Sequence, residues 1–186
     1  MRLALLGFLA TAACSPRIAI GYDSTAKMTG PLANLMPIAR RTALTGEEAA
    51  PIPEGRNYSL GLGFGDKNLT LGLRVQGNNI SSSTLDTEGP QYLSAAAALD
   101  FRYSILRWKG LAATGFLAPG RTLLIDSTDG ERSWGSGIRY GGAASFALAG
   151  FSVFADFYQE KLIFSDGPAA GNSARSGVTL GLAFQP

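Results

Sequence analysis

The chain has 186 residues, with 16 Lys or Arg against 14 Asp or Glu, a single Cys and no His. Charged residues make up only 16% and hydrophobic ones 46%, which excludes wholesale disorder and leaves no electrostatic case for nucleic acid. Without histidine there is no His-based triad, His metal site or haem axial histidine, so neither cofactor nor metal is expected.

At the N-terminus, Arg2 is a minimal basic start and Leu3 to Ala10 form an apolar run of eight residues. A membrane-spanning helix needs ~20 residues, so residues 1–13 read as an export signal instead. Small residues Thr11, Ala12 and Ala13 lead to Cys14, the only cysteine, which has no intramolecular partner for a disulfide. Here the chain resembles bacterial lipoproteins, whose signal is cut just before a cysteine that carries the lipid. The resemblance implies lipidation of Cys14, and the Ser15 that follows favours the outer membrane in that family. Thr11 departs from the Leu usual at its position, and cleavage after Ala12 is the alternative, because Ala10-Thr11-Ala12 fits the small-x-small rule.

Beyond the signal, apolar residues recur at a spacing of two, the period of a half-buried strand. A short strand comes first, with Ile18, Ile20 and Tyr22. Next, Tyr58, Leu60, Leu62 and Phe64 alternate with Ser59, Gly61, Gly63 and Gly65, and Leu69, Leu71, Leu73 and Val75 with Thr70, Gly72, Arg74 and Gln76. Leu93 to Tyr103 alternate in the same way, then Leu111 to Leu117 in a less clear phase, Ile138 to Leu148, Phe151 to Phe157, and Val178 to Phe184. The count is eight.

Turn residues set expected registers. A two-residue loop at Asp66-Lys67 opposes Tyr58 to Val75, Leu60 to Leu73, Leu62 to Leu71 and Phe64 to Leu69. One at Ala149-Gly150 pairs Leu148 with Phe151, Phe146 with Val153 and Ala144 with Ala155, and sets Arg139 across from Glu160. Asp129-Gly130, a type I′ dipeptide, places Leu111, Ala113, Gly115 and Leu117 on the face of Leu148, Phe146, Ala144 and Gly142, with a bulge expected at Pro119-Gly120. The connections then alternate in length: 25–56, 77–90, 119–133 and 164–175 are long, whereas Asp66-Lys67, Ser104–Lys109 and Ala149-Gly150 are short.

Short turns on one side and long loops on the other are the pattern of an outer-membrane barrel. As a pattern rather than a sequence motif, residues 16–186 resemble the small eight-stranded outer-membrane barrels of the OmpA transmembrane-domain and OmpX type. The expected fold is therefore an all-β, eight-stranded antiparallel up-and-down transmembrane barrel, a single domain over 14–186 with a long first loop at 25–56. Tyr22, Tyr58 and Trp134 would form one aromatic girdle and Tyr103, Trp108 and Phe184 the other. Gln185 and Pro186 after Phe184 depart from the terminal aromatic usual in that family.

The Leu, Val, Phe and Tyr face should meet lipid, and the small and polar face should fill a lumen only wide enough for side chains. A soluble lipocalin-like barrel, a periplasmic lipoprotein with a hydrophobic ligand, would have these faces reversed. The lumen would hold Arg74, Asp100, Arg102, Arg139, Asp156 and Glu160, paired because unpaired buried charge is costly. A narrow small-solute pore gated by Arg139 and Glu160 is the functional alternative. Asp156 and Glu160 share a strand face as an acid/base pair would, but nothing completes a catalytic site, and barrel enzymes that act on lipid A use a histidine. No enzymatic activity is expected. Gly61-x-Gly63-x-Gly65 has no helix after it and is no phosphate loop. Residues 25–56, with Pro31, Pro37, Pro51 and Pro53 and an apolar set of Leu32, Leu35, Met36 and Ile38 beside Arg40 and Arg41, suit a cap over the barrel mouth, a surface for an envelope protein partner, or a simply disordered loop. Outer-membrane lipid would be the constant neighbour.

Overall fold

The computed structural model describes residues 15–35, 55–66, 68–81, 91–127 and 129–185. The signal, Cys14 and residues 36–54 of the long first segment lie outside the described residues. Eight strands follow in order: β1 (Ser15–Thr29), β2 (Gly55–Gly65), β3 (Leu69–Ser81), β4 (Gln91–Trp108), β5 (Leu111–Asp126), β6 (Arg132–Leu148), β7 (Phe151–Phe164) and β8 (Gly171–Phe184). A single turn of helix, α1 (Pro31–Asn34), follows β1. Each strand pairs antiparallel with its neighbours in sequence, and β8 pairs back to β1, closing the barrel.

The alternation read from the sequence orients every wall of this cylinder. Leu60, Leu71, Phe146 and Val153 are 45%, 51%, 48% and 59% exposed, whereas Arg74, Gln76, Asp100, Arg102, Arg139 and Asp156 are buried. All six girdle aromatics point outward, and Tyr22 meets Tyr58 edge-on across the β1–β2 pair.

Strand ends and two registers differ from the sequence expectation. Ala149-Gly150 holds as expected, with Leu148 opposite Phe151 and Arg139 opposite Glu160. Both turn residues have positive φ, 49° and 85°, as does the Lys109-Gly110 turn at 43° and 87°. That is the backbone of a two-residue type I′ hairpin, so β4 runs on to Trp108 instead of stopping at Tyr103. In the β2–β3 hairpin, Leu62 opposes Leu73 and Phe64 opposes Leu71, two residues away from the expected pairs. The cause is local: Asp66 Oδ1 accepts the backbone N–H groups of Asn68 and Leu69 at 2.7 Å each, and Asp66 N donates to Leu69 O, which makes a longer loop. At the β5–β6 hairpin, Leu111 likewise opposes Phe146, because Asp126 N donates to Glu131 O and Gly130 N to Asp126 O. A shift of two preserves which face each residue occupies.

The expected bulge at Pro119-Gly120 is absent: Pro119 opposes Ile138 and Gly120 opposes Gly137 in unbroken register. The irregularity falls between Ser104 and Leu106 on β4, with a second between Thr25 and Lys27 on β1. Residues 25–29, expected in the first loop, continue β1, and residues 55–56 already belong to β2. Apart from β2 with 11 residues, the strands, at 13 to 18 residues, exceed the ~9–11 that cross a bilayer. On β1, β3 and β8 the surplus lies at the long-loop end, where the hydrogen-bonded ladder continues past the apolar alternation of the sequence.

With Cys14 replaced by Ser, a Leu62→Cys/Leu73→Cys pair is expected to cross-link readily and a Leu62→Cys/Leu71→Cys pair poorly, since only directly opposed residues come within disulfide reach. Oxidation followed by gel mobility distinguishes them. The N–H groups of Leu69 and Asn68 hold the Asp66 carboxyl below its ordinary range. Its contribution to the turn is therefore present above the ordinary aspartate pKa and lost as pH falls through the lowered value. NMR titration of the Asp66 carboxyl should show that lowered midpoint.

Candidate functional site: the charged lumen

Inward positions on six strands carry the ionisable residues, and the closed wall brings them together in two layers. In the layer nearer the short turns, Asp156 on β7 has no exposed side-chain surface. Its Oδ2 accepts from Arg74 Nη2 at 3.0 Å and Arg102 Nη2 at 2.6 Å, and its Oδ1 accepts from Arg102 Nη1 at 3.0 Å. The Arg102 fork is thus bidentate, the strongest geometry open to a guanidinium and a carboxylate. Asp100 Oδ2 takes Arg102 Nε at 2.9 Å and Arg74 Nη2 at 3.2 Å. These bonds run through the lumen and tie β3 and β4 to β7, strands that share no ladder.

In the second layer, Asp23 on β1 is fully buried and accepts from Arg139 Nη1 at 2.8 Å and Gln76 Nε2 at 2.7 Å. Arg139 also bonds to Thr179 Oγ1 on β8, and Thr179 contacts Asp23 Oδ1 at 3.3 Å. Glu160 pairs with Arg175, its directly opposed residue on β8. All six residues singled out from the sequence therefore lie in the lumen, but Arg139 and Glu160 do not form the expected pair: Arg139 turns to Asp23 and Glu160 to Arg175. Asp156 and Glu160 each have their own arginine partners, which opposes a shared-proton acid/base role.

Sequence reasoning missed Asp23, Gln76, Arg175, Thr179 and Arg17. Each carries the inward parity of its strand, so the signal is present; Asp23 and Arg175 fall outside the expected strands, because β1 runs on past Tyr22 and β8 starts before Val178. It also missed the aromatic filling. Phe116, Phe154 and Tyr158 point inward and are buried. Arg102 lies 5.1 Å from the Phe116 centroid and Arg139 3.6 Å from that of Tyr158, so guanidinium faces are covered by rings where no carboxylate reaches. A cavity of about 20 Å³ among Arg74, Gln76, Arg139 and Ala98 has the size of one water molecule.

The two mouths differ. At the long-loop end, Met28, Tyr92, Leu124, Leu162, Phe164 and Ala169 make an apolar plug. Leu32 of α1 drops into it, and its backbone N–H donates to Ser173 Oγ at 3.0 Å. The described part of the first segment thus caps the mouth. At the short-turn end the lumen opens as a cup of about 500 Å³ above the Phe154 ring.

Solved structures share this architecture. Neisserial surface protein A superposes with a TM-score of 0.59 at 9% identity, over 94% of this chain and 97% of that one. A major outer membrane protein from Thermus thermophilus gives 0.54 at 12% identity, over 94% and 100%. Ail, the attachment invasion locus protein of Yersinia pestis, gives 0.50 at 10% identity, over 93% and 97%. The fold is that of the small eight-stranded outer-membrane barrels. At such identities the likeness concerns fold alone; no family model matches the sequence, and no curated protein matches it either.

Asp156→Ala would leave the buried guanidinium groups of Arg74 and Arg102 to share Asp100 alone. It is expected to destabilise the barrel by about 3–5 kcal/mol, the range for breaking one side of a buried pair, measured by urea unfolding in detergent.

Proposed function

We propose that this chain is a bacterial outer-membrane β-barrel, lipid-anchored at Cys14, with a non-catalytic role. That role is structural or partner-binding, exercised through its long loops or as a subunit of an envelope complex. The outward belt of Leu, Ile, Val and Phe around a lumen of paired charge carries the reading, because a water-soluble barrel of this sequence would expose that belt to solvent. The likeness to outer-membrane barrels supports it, and the export signal ending at the sole cysteine supports the anchor. Residues 25–56 remain the proposed surface for an envelope protein partner, of which 25–29 continue β1 and Met28 and Leu32 are committed to the apolar plug.

A transport role fits less well. Asp156 on β7 and Asp23 on β1 each bridge the lumen to strands they share no ladder with, and the apolar plug seals the loop end. The lipocalin-like reading fails on orientation, since the lumen is charged and the greasy residues face outward.

The folded protein in detergent is expected to show heat-modifiable gel mobility and, in planar bilayers, no steady single-channel openings. Extraction from cells by carbonate alone, or regular openings abolished by Glu160→Ala, would overturn the embedded, closed barrel. Fatty-acid labelling lost in Cys14→Ser is the expected result for the anchor.

A further inference from the structure

The six ion pairs of the lumen join four arginines, Arg74, Arg102, Arg139 and Arg175, to four carboxylates, Asp23, Asp100, Asp156 and Glu160. Arg17 is a fifth lumen arginine and, among the described residues, it has no ion pair. Its guanidinium lies 5.6 Å from the Phe154 centroid, on the ring that Arg102 also approaches at 5.8 Å. Arg17 therefore carries the one charge of the lumen that the two-layer network leaves over, at the inner end of the 500 Å³ cup.

The cup is built to match that charge. Arg107 and Lys109 also line it, and no Asp or Glu does. Lys109 is held over the Trp108 ring at 5.2 Å, and Arg107 Nη2 donates to Ser104 Oγ at 3.3 Å. Hydroxyls of Ser15, Thr70, Thr114, Ser145 and Ser152 complete the wall. A half-buried guanidinium without a carboxylate, surrounded by hydroxyl donors and approached past further cations, favours an oxyanion over any neutral or cationic ligand. Its volume falls in the range of small-molecule sites, ~300–1,000 Å³.

We propose that the cup at the short-turn end is a binding site for a small hydroxylated molecule bearing a phosphate or carboxylate group. Arg17 forks onto the oxyanion, the hydroxyls meet the ligand's polar body, and Arg107 and Lys109 draw it in. The site needs neither the loops nor a conducting lumen, because the ligand enters and leaves by the same mouth.

The test is isothermal titration of the full chain, folded in zwitterionic detergent at low salt, with glycerol 3-phosphate, inorganic phosphate and citrate. Saturable one-site binding by at least one probe is expected, weakened by added salt. Phosphate-bearing probes alone would narrow the class to phosphate, citrate alone to carboxylate, and both would support the shared oxyanion chemistry. Arg17→Met should weaken binding about 10- to 100-fold, the loss expected for a charge-assisted hydrogen-bonded contact. Arg17→Lys, which keeps the charge but loses the fork, should fall between. Ala147→Trp fills the cup without altering charge and should abolish binding; it keeps the test decisive where an Arg17 variant fails to fold, as judged by heat-modifiable mobility. Absence of saturable binding, or undiminished binding in folded Arg17→Met or Ala147→Trp, overturns the site.

Discussion

A charge enclosed by eight strands has no bulk water to solvate it, and in this lumen each carboxylate is met by arginine. The requirement explains why the polar contacts cross the barrel. Backbone ladders link only adjacent strands, whereas Asp156 draws donors from β3 and β4 across to β7, and Asp23 joins β1 to β3 and β6. The lumen thereby adds ties between walls that the sheet alone leaves unconnected. The converse holds outside, where closure satisfies the backbone and leaves a belt of apolar side chains exposed.

Guanidinium groups are suited to this confinement because they are flat as well as charged. Their edges bind carboxylates and their faces cover Phe116, Phe154 and Tyr158, so one side chain serves both pairing and packing. Alanines at 96, 98 and 118 on β4 and β5 leave room for the arginines reaching over from β3 and β6. Lumen chemistry and lumen volume are solved by the same residues.

The two ends then follow different rules. Above the apolar belt the strands continue upward, and their inward residues turn from charged to greasy, which gives Leu32 a core to join. Below the network the wall is made of small and hydroxyl residues, and the interior opens. The cylinder is thus sealed at the long-loop end and hollow at the other.

Strand number, the outward or inward assignment of side chains, and the membership of Arg74, Asp100, Arg102, Arg139, Asp156 and Glu160 in a common interior were all legible from alternation, because a period of two is a property of the chain itself. Which charge meets which was not. Arg139 stands opposite Glu160 on the neighbouring strand, yet it bonds to Asp23 across the lumen, a choice made by distances through the barrel that no linear spacing records. Register was half legible: parity was correct at Leu62 and at Leu111, but the two-residue offset was decided by turn hydrogen bonds at Asp66 and Asp126. Strand ends were least visible, since hydrophobic patterning stops at the edge of the apolar belt while hydrogen bonding does not. Sequence thus determined the faces of the wall, and tertiary closure alone determined the partners inside it, because only closure brings strands distant in the chain within reach of one guanidinium.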